Sequence, residues 1–411
     1  MDGSAEFTPV VIDPTGRDLH GEAERIRAQG PAARVELPGG VPAWAVSGQA
    51  LLRDLLTDPR VSKDAYQHWP AWRNGEITPD SPLFAWVAVR NMFTAYGPDH
   101  RRLRGLVSSA FTARRTAELR PRVEVIVAEL LAGLARVPAG EVVDLREHYA
   151  YPLPIRVICD LFGVADEDTR QEIRRCVDAF FHTSVAPHEV ATALSRLQAI
   201  LRDLVTDKRR TPGDDLSSAL IAVRDEAESP LSEDELVDTL VLFLSAGHET
   251  TVNLLDNAIH ALLTHPDQLA LVRAGEATWE KVVEETLRSR SPITNLPLRY
   301  AVEDIDTGHG VTIRAGEAIL ACYGAAGRDP DVHGPDAAAF DLTRRTTDHL
   351  AFGYGAHHCL GAPLARLEAL IALPALFAGF PAMTLATPPD GPPPLESFIA
   401  NGHSTLPVRL R

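Results

Sequence analysis

Ala351-Phe-Gly-Tyr-Gly-Ala-His-His-Cys-Leu-Gly-Ala-Pro-Leu-Ala-Arg366 is the stretch on which the fold turns. Glycines at 353, 355 and 361 permit unusual backbone dihedrals and let the loop lie close against a flat group. Cys359 stands at the end of the loop. A helix, Ala362–Leu376, is expected to follow at once, with Pro363 suited to its first turn. Loop amides and a helix N-terminus favour a thiolate at such a place. A thiolate lined by amides is a metal ligand or a nucleophile.

Three chemistries compete for that cysteine. A zinc site from His357, His358 and Cys359 lacks the usual ligand spacing, because adjacent side chains diverge. A Cys–His pair would act as a nucleophile. An axial thiolate would hold haem iron and push electron density towards O–O cleavage.

The remaining chain narrows the setting. Its 411 residues carry 40 Lys+Arg against 56 Asp+Glu, a net charge of −16. Hydrophobic residues make up 45% and charged residues 23%, ordinary globular usage that excludes disordered, collagen-like and coiled-coil classes. The acidic balance argues against a nucleic-acid partner, since phosphate binding needs a basic face. Cysteines 159, 176, 322 and 359 form no CxxC pair and are too sparse for a disulfide scaffold. Reduced thiols and a cytoplasmic location are therefore expected. The N-terminal MDGSAEFTPVVIDPTGRD has no apolar core of a signal peptide. Residues 369–389 are uncharged and long enough to span a bilayer. Pro374, Gly379 and Pro381 interrupt them, and Thr384 and Thr387 dilute them, so a core helix ending near Gly379 is expected instead, and no membrane contact.

The organisation reads as mainly α with small β elements, in a single domain over residues 1–411. A strand is expected at Ala43–Val46, a helix around Ala50–Leu56, and loop over 66–98. Residues 100–290 read as helical, with breaks at Pro152–Pro154, Pro187 and Pro212–Gly213. Short strands return around 310–325, within a β-richer 290–345. Ser232 and Glu235 form an S-x-x-E capping box, and the helix after it runs to about Thr264 before His265-Pro266. Such a rod is roughly 30 residues and ~45 Å long, enough to cross a core. Its middle, Ser245-Ala-Gly-His-Glu-Thr-Thr251, breaks helical rules. Gly247 costs about 1 kcal/mol relative to alanine. Small residues there admit something close to the backbone, with the Glu249 carboxyl and Thr250 hydroxyl beside it to handle protons. A polar exposed turn is the plainer alternative.

Together these residues support a family. F-G-x-G-x-H-x-C-x-G at Phe352–Gly361 resembles the haem-binding loop of cytochrome P450. Ala246–Thr251 is similar to that family's oxygen-activating turn, and Glu285-Thr-Leu-Arg288 to its E-x-x-R motif. His100-Arg-Arg-Leu-Arg104 resembles its H-x-x-x-R pair, and Arg299 matches a second haem-propionate arginine. The motifs occur in the family's order, and the likeness runs from about residue 12 to the C-terminus. In texture the chain looks like the soluble actinobacterial enzymes that tailor secondary metabolites. Two departures stand out: Gly327 replaces a frequent asparagine, and the acid of the central turn is Glu rather than Asp.

The resemblance implies the cytochrome P450 fold, with haem b between the long helix and the cysteine loop. Cys359 becomes the axial iron ligand, while Phe352 and Ala246 flank the macrocycle. His100, Arg104, Arg299 and His357 become propionate donors. Glu249 and Thr250 become the proton-delivery pair; His248 receives no role. Glu285 and Arg288 become a structural pair bracing the cysteine loop. A small apolar or mid-sized substrate is expected to meet Trp69, Trp72, Met92, Phe93, Phe180, Phe181, Phe243, Ala246, Ile293–Leu296 and Phe398–Ile399. The implied activity is monooxygenation of a natural product such as a polyketide, macrolide or steroid. Oxidative cyclisation or coupling by the same chemistry is an alternative, and a non-catalytic haem sensor or carrier is one of a different class. Electrons are expected from NAD(P)H through a ferredoxin reductase and a ferredoxin. Residues 100–122 hold seven arginines and one acid, Glu118, so ferredoxin docking is expected near Arg101, Arg102 and Arg115 of a monomer.

Overall fold

The computed structural model describes residues 9–110, 113–181, 183–226, 231–386 and 391–411. Residues 1–8, the start of the N-terminal stretch read above, and 387–389 of the uncharged run lie outside the described residues.

One helix organises the molecule. Glu233–Thr264 spans 32 residues, and its capping box is complete. The Ser232 hydroxyl accepts from the Glu235 amide at 3.1 Å, and the Ser232 amide donates to Glu235 Oε2 at 2.8 Å. Residues 236–244 pack into one apolar core with 155–162, 173–177 and 197–205. Residues 252–262 pack into a second, with 123–127, 282–287 and 364–377. The polar turn 245–251 falls at the junction of these cores, which is why the helix can leave apolar stacking there without losing its anchorage at either end.

A six-stranded sheet supplies the other wall. Its order is Val10–Val11, Ala32–Leu37, Val41–Val46, Ala318–Ala321, Leu296–Ala301, Val61–Ser62. The strand at 41–46, the helix Gln49–Thr57 and the strands after 310 agree with the expected pattern. Three short helices interrupt the expected loop at 66–98: Ala65–His68, Pro70–Arg73 and Phe84–Val87. Pro152 and Pro187 open helices rather than merely ending them, as their fixed φ suits the first turn. A strand at Val142–Asp144 lies inside the stretch read as helical. It is three residues long and exists by pairing with Pro407–Arg409, so no local signal announces it.

The helix after the cysteine runs from Ala362 through Pro374 to Gly379, past Leu376 and to the end expected for the uncharged run. It is the one helix among the described residues long and apolar enough to cross a membrane, and half of it is buried inside the protein.

Candidate active site

The cysteine loop folds on its own backbone. The Gly353 amide donates to Leu350 O and the Cys359 amide to Phe352 O, both at 2.8 Å. Gly353 and Gly355 have φ of +71° and +69°. A side chain at Gly355 would also place its Cβ 2.7 Å from Leu56 O, so only glycine fits. The loop leaves Cys359 Sγ open to an interior cavity. Burial pushes its thiol up, while the Gly361 and Ala362 amides and the Arg104 and Arg366 guanidinium groups pull it down. Burial wins, so the amides alone do not create the thiolate expected from the sequence; a coordinating metal deprotonates such a thiol outright. The ligand atoms of His357, His358 and Cys359 do not cluster, which removes the zinc arrangement.

Ala246, Gly247, Thr250 and Thr251 form part of the same cavity's lining, on the long helix. The close approach at Gly247 is made by a neighbouring helix: a Cβ there would lie 2.7 Å from Ile158 Cδ1. Ala246 is the residue exposed to the cavity. The Thr250 hydroxyl donates to Ala246 O at 2.7 Å, closing back onto its own helix. Glu249 points elsewhere. It is absent from the lining, and its Oε1 takes a 2.6 Å hydrogen bond from Arg146 Nη2. Arg146 also donates to Asn253 Oδ1 at 2.8 Å. Burial raises the Glu249 carboxyl, and Arg146 offsets this in part. The plainer reading of an exposed polar turn fails, because His248, Glu249 and Thr251 are buried.

A set of cationic and donor side chains meets at another edge of the cavity. Arg104, Arg299 and His357 line it, joined by Lys63 and Tyr323, which sequence reasoning missed. His100 stands behind, its ring centroid 4.0 Å from that of His357. Arg104 Nη2 donates to His358 O at 2.6 Å, and Arg299 Nη2 to the Tyr323 hydroxyl at 3.1 Å. Lys63 Nζ, His100 Nε2 and Arg299 Nη1 are buried with no hydrogen-bond partner. Burial, Arg104 and Arg101 depress His100 to about 4; burial and Lys63 depress His357 further. Burial and Arg299 hold the Lys63 ammonium well below its usual range. Only register could have revealed Lys63: Ser62 pairs with Tyr300, which brings residue 63 beside Arg299.

Glu285 and Arg288 are both fully buried and doubly bonded, at 2.8 and 2.6 Å. Arg288 donates further to the carbonyls of Gly327, Ala337 and Ala339, and Glu285 accepts from the Asp341 amide. They therefore fasten the 327–341 segment, not the cysteine loop directly as expected. The adjacent Glu284 reaches that loop, through Arg366 at 2.6 and 2.9 Å and His349 at 3.1 Å. At Gly327 a Cβ would lie 2.1 Å from Arg288 O, which accounts for glycine at this position.

Of the expected substrate contacts, Met92, Phe93, Phe180, Phe181, Phe243, Ala246, Ile293 and Leu296 line the cavity, as does Phe352. Trp69, Trp72, Phe398 and Ile399 do not; they belong to the apolar core beneath the sheet, where Trp69 stacks on Tyr300 at 5.2 Å. Thr294 and Asn295 are also outside the lining. The arginine run is largely committed. Arg102 pairs with Glu235, Arg114 with Glu118, Arg120 with Glu124 and Arg122 with Asp160. Arg101 is exposed and has no ion pair among the described residues.

One cavity joins Cys359 and Ala246 to Lys63, Arg104, Arg299 and His357, so its occupant has to span the thiol and the cations. Buried cations without carboxylate partners call for a bound anion. A macrocycle bearing two carboxylates, set between Cys359 and Ala246, meets both demands, so the residues present fit haem. The fold and this site define a haem–thiolate protein. Residues 55–274 and 278–400 match the cytochrome P450 family, and the chain belongs to it. It is 46% identical to 2-hydroxy-5-methyl-1-naphthoate 7-hydroxylase of Streptomyces carzinostaticus, over 98% of each chain. It is 42% identical to the monooxygenase PikC of Streptomyces venezuelae, over 98% of this chain and 95% of that one. The solved structure of CYP154A1 from Streptomyces coelicolor A3(2) is 54% identical, superposes with a TM-score of 0.92, and is covered in full by 98% of this chain. The protein is a cytochrome P450 monooxygenase, and the family's cofactor is haem.

Proposed function

We propose that this monooxygenase hydroxylates a mid-sized, mostly apolar natural product, and that residues 1–411 act as one domain in the cytoplasm. The carrying observation is the cavity above Cys359, with apolar walls of Met92, Phe180, Phe181, Val241, Leu242 and Phe243. Relatives that hydroxylate a naphthoate or act as PikC agree with that class. Bound haem supplies oxygen activation at iron held by Cys359 Sγ. Around it, Lys63, Arg104 and Arg299 would meet the two propionates as cations and His357 as a neutral hydrogen-bond donor, with His100 supporting His357. The Thr250 hydroxyl hydrogen-bonds in the cavity beside Ala246, and Glu249 delivers protons to that side by rotating away from its Arg146 contact. The test is a spectral binding screen of candidate metabolites, then product mass analysis in a reconstituted reaction. Failure of every aromatic, macrolide and steroid candidate to displace the resting spectrum would overturn the substrate class.

Thr250→Ala is expected to keep haem and substrate affinity but divert reducing equivalents to peroxide. Its hydroxyl donates to Ala246 O at the cavity, and a methyl group there has no exchangeable proton. The measurement is the ratio of product to NADH consumed; tight coupling in the variant contradicts the role.

P450s of this bacterial type draw electrons from redox partners. We propose a small acidic ferredoxin as the donor, docking around Arg101 at the cysteine face. With four arginines of the run paired, its steering is carried by fewer charges than the sequence implied. Stopped-flow reduction is expected to slow as ionic strength rises, the Debye length being about 10 Å at 0.1 M. Arg101→Glu is expected to slow it further. Arg102→Glu is a poorer probe, as it also breaks the contact with Glu235. Rates indifferent to salt and to Arg101→Glu would place the docking face elsewhere.

A further inference from the structure

Behind the long helix, away from the cavity, one ligand-type atom each from Asp178, His248 and Glu249 lie within 4.8 Å of one another. Points so arranged share a centre no more than about 2.8 Å from each, the distance of an ordinary hydrogen bond. His248 is fully buried. Its Nε2 faces Tyr151 O at 3.3 Å, and a carbonyl only accepts, so Nε2 carries the hydrogen. Nδ1 is then a bare acceptor, and it has no partner. Glu249 uses Oε1 on Arg146. Asp178 is half-buried on the helix Glu167–Phe181 and accepts from the Tyr151 hydroxyl. Arg146 and Arg174 stand close by, Arg174 lying 4.0 Å over the Tyr151 ring. Two guanidinium groups oppose a metal cation there, whereas a neutral guest with two hydrogens satisfies the bare imidazole nitrogen and the Glu249 carboxylate, and its oxygen accepts from Asp178 when that carboxyl is protonated.

We propose that Asp178, His248 and Glu249 hold one buried water, and that this water joins half-exposed Asp178 to Glu249 as the entry for solvent protons. The water donates one hydrogen to His248 Nδ1, which fixes its orientation, and the other to Glu249. A proton arriving on Asp178 passes to the water oxygen as the water releases its hydrogen to Glu249. Asp178 is then reprotonated from solvent, so charge and protons balance. His248 is a positioning residue, and Asp178 feeds Glu249. The inference rests on the reading that Glu249 supplies protons to the cavity.

A crystal structure of the haem-loaded protein is expected to show one water within hydrogen-bonding distance of all three side chains, and His248→Phe to lack it. Asp178→Asn is expected to slow product formation ~10-fold, less than the 10²–10⁴ that a positioned acid contributes. It should also raise the solvent isotope effect, with the carbon monoxide spectrum and substrate affinity unchanged. Asp178→Glu should restore the rate. An empty site, a metal ion, or direct contact among the three side chains overturns the proposal. So does Asp178→Asn turning over like the parent while Glu249→Gln is crippled. If Glu249→Gln itself behaves as the parent, the proton-supply reading fails and the conduit with it.

Discussion

Cys359→His is expected to abolish the strongly red-shifted Soret band of the reduced carbon monoxide complex, and turnover with it. The band reports thiolate donation to iron, and imidazole does not reproduce it. Cys359 is the one cysteine placed to give it. Cys159 and Cys322 are buried in apolar surroundings that push their thiols up to about 12, and burial raises Cys176 as well. Only Cys359 opens into the cavity, on a loop held by the Cys359 amide to Phe352 O bond. Two amides and two guanidinium groups then ease the thiolate once a metal binds it. Cys359→Ala tests the converse: a variant that still showed the red-shifted band would disprove the ligand assignment.

Arg288→Ala is expected to cost on the order of 3–5 kcal/mol of stability, the scale for breaking a buried pair by removing one partner. The loss strands more than one group. Glu285 keeps a buried carboxylate whose guanidinium is gone, and the carbonyls of Gly327, Ala337 and Ala339 each lose a donor. Arg344 Nε, 3.8 Å from Glu285, is too distant to replace two short bonds. Because the tie holds 327–341 against the helix Trp279–Ser289, the variant is expected to purify with little haem and a lowered thermal midpoint, and not as a folded enzyme with slow turnover. Full haem content with an unchanged midpoint would show that the pair is dispensable.

Local chemistry made much of this protein legible from its sequence. Gly353, Gly355, Cys359 and Pro363 declare a loop feeding a helix because each acts on its own backbone. Ser232 and Glu235 mark the start of the long helix for the same reason. The cavity-facing Ala246 and Thr250 followed from a helix breaking its pattern. Partnership was not legible, because it depends on groups brought together by packing. Arg146 meets Glu249 across 103 residues. Lys63 reaches the cation cluster only through the pairing of Ser62 with Tyr300. Trp69, Trp72, Phe398 and Ile399 read like cavity walls, yet they fill a core, since an aromatic side chain carries no mark of which apolar space it will occupy. The arginine run read as a free basic face, and the tertiary structure paired Arg102 and Arg122 with carboxylates on other helices. Sequence determined which groups carry the chemistry; burial and register decided what each of them touches.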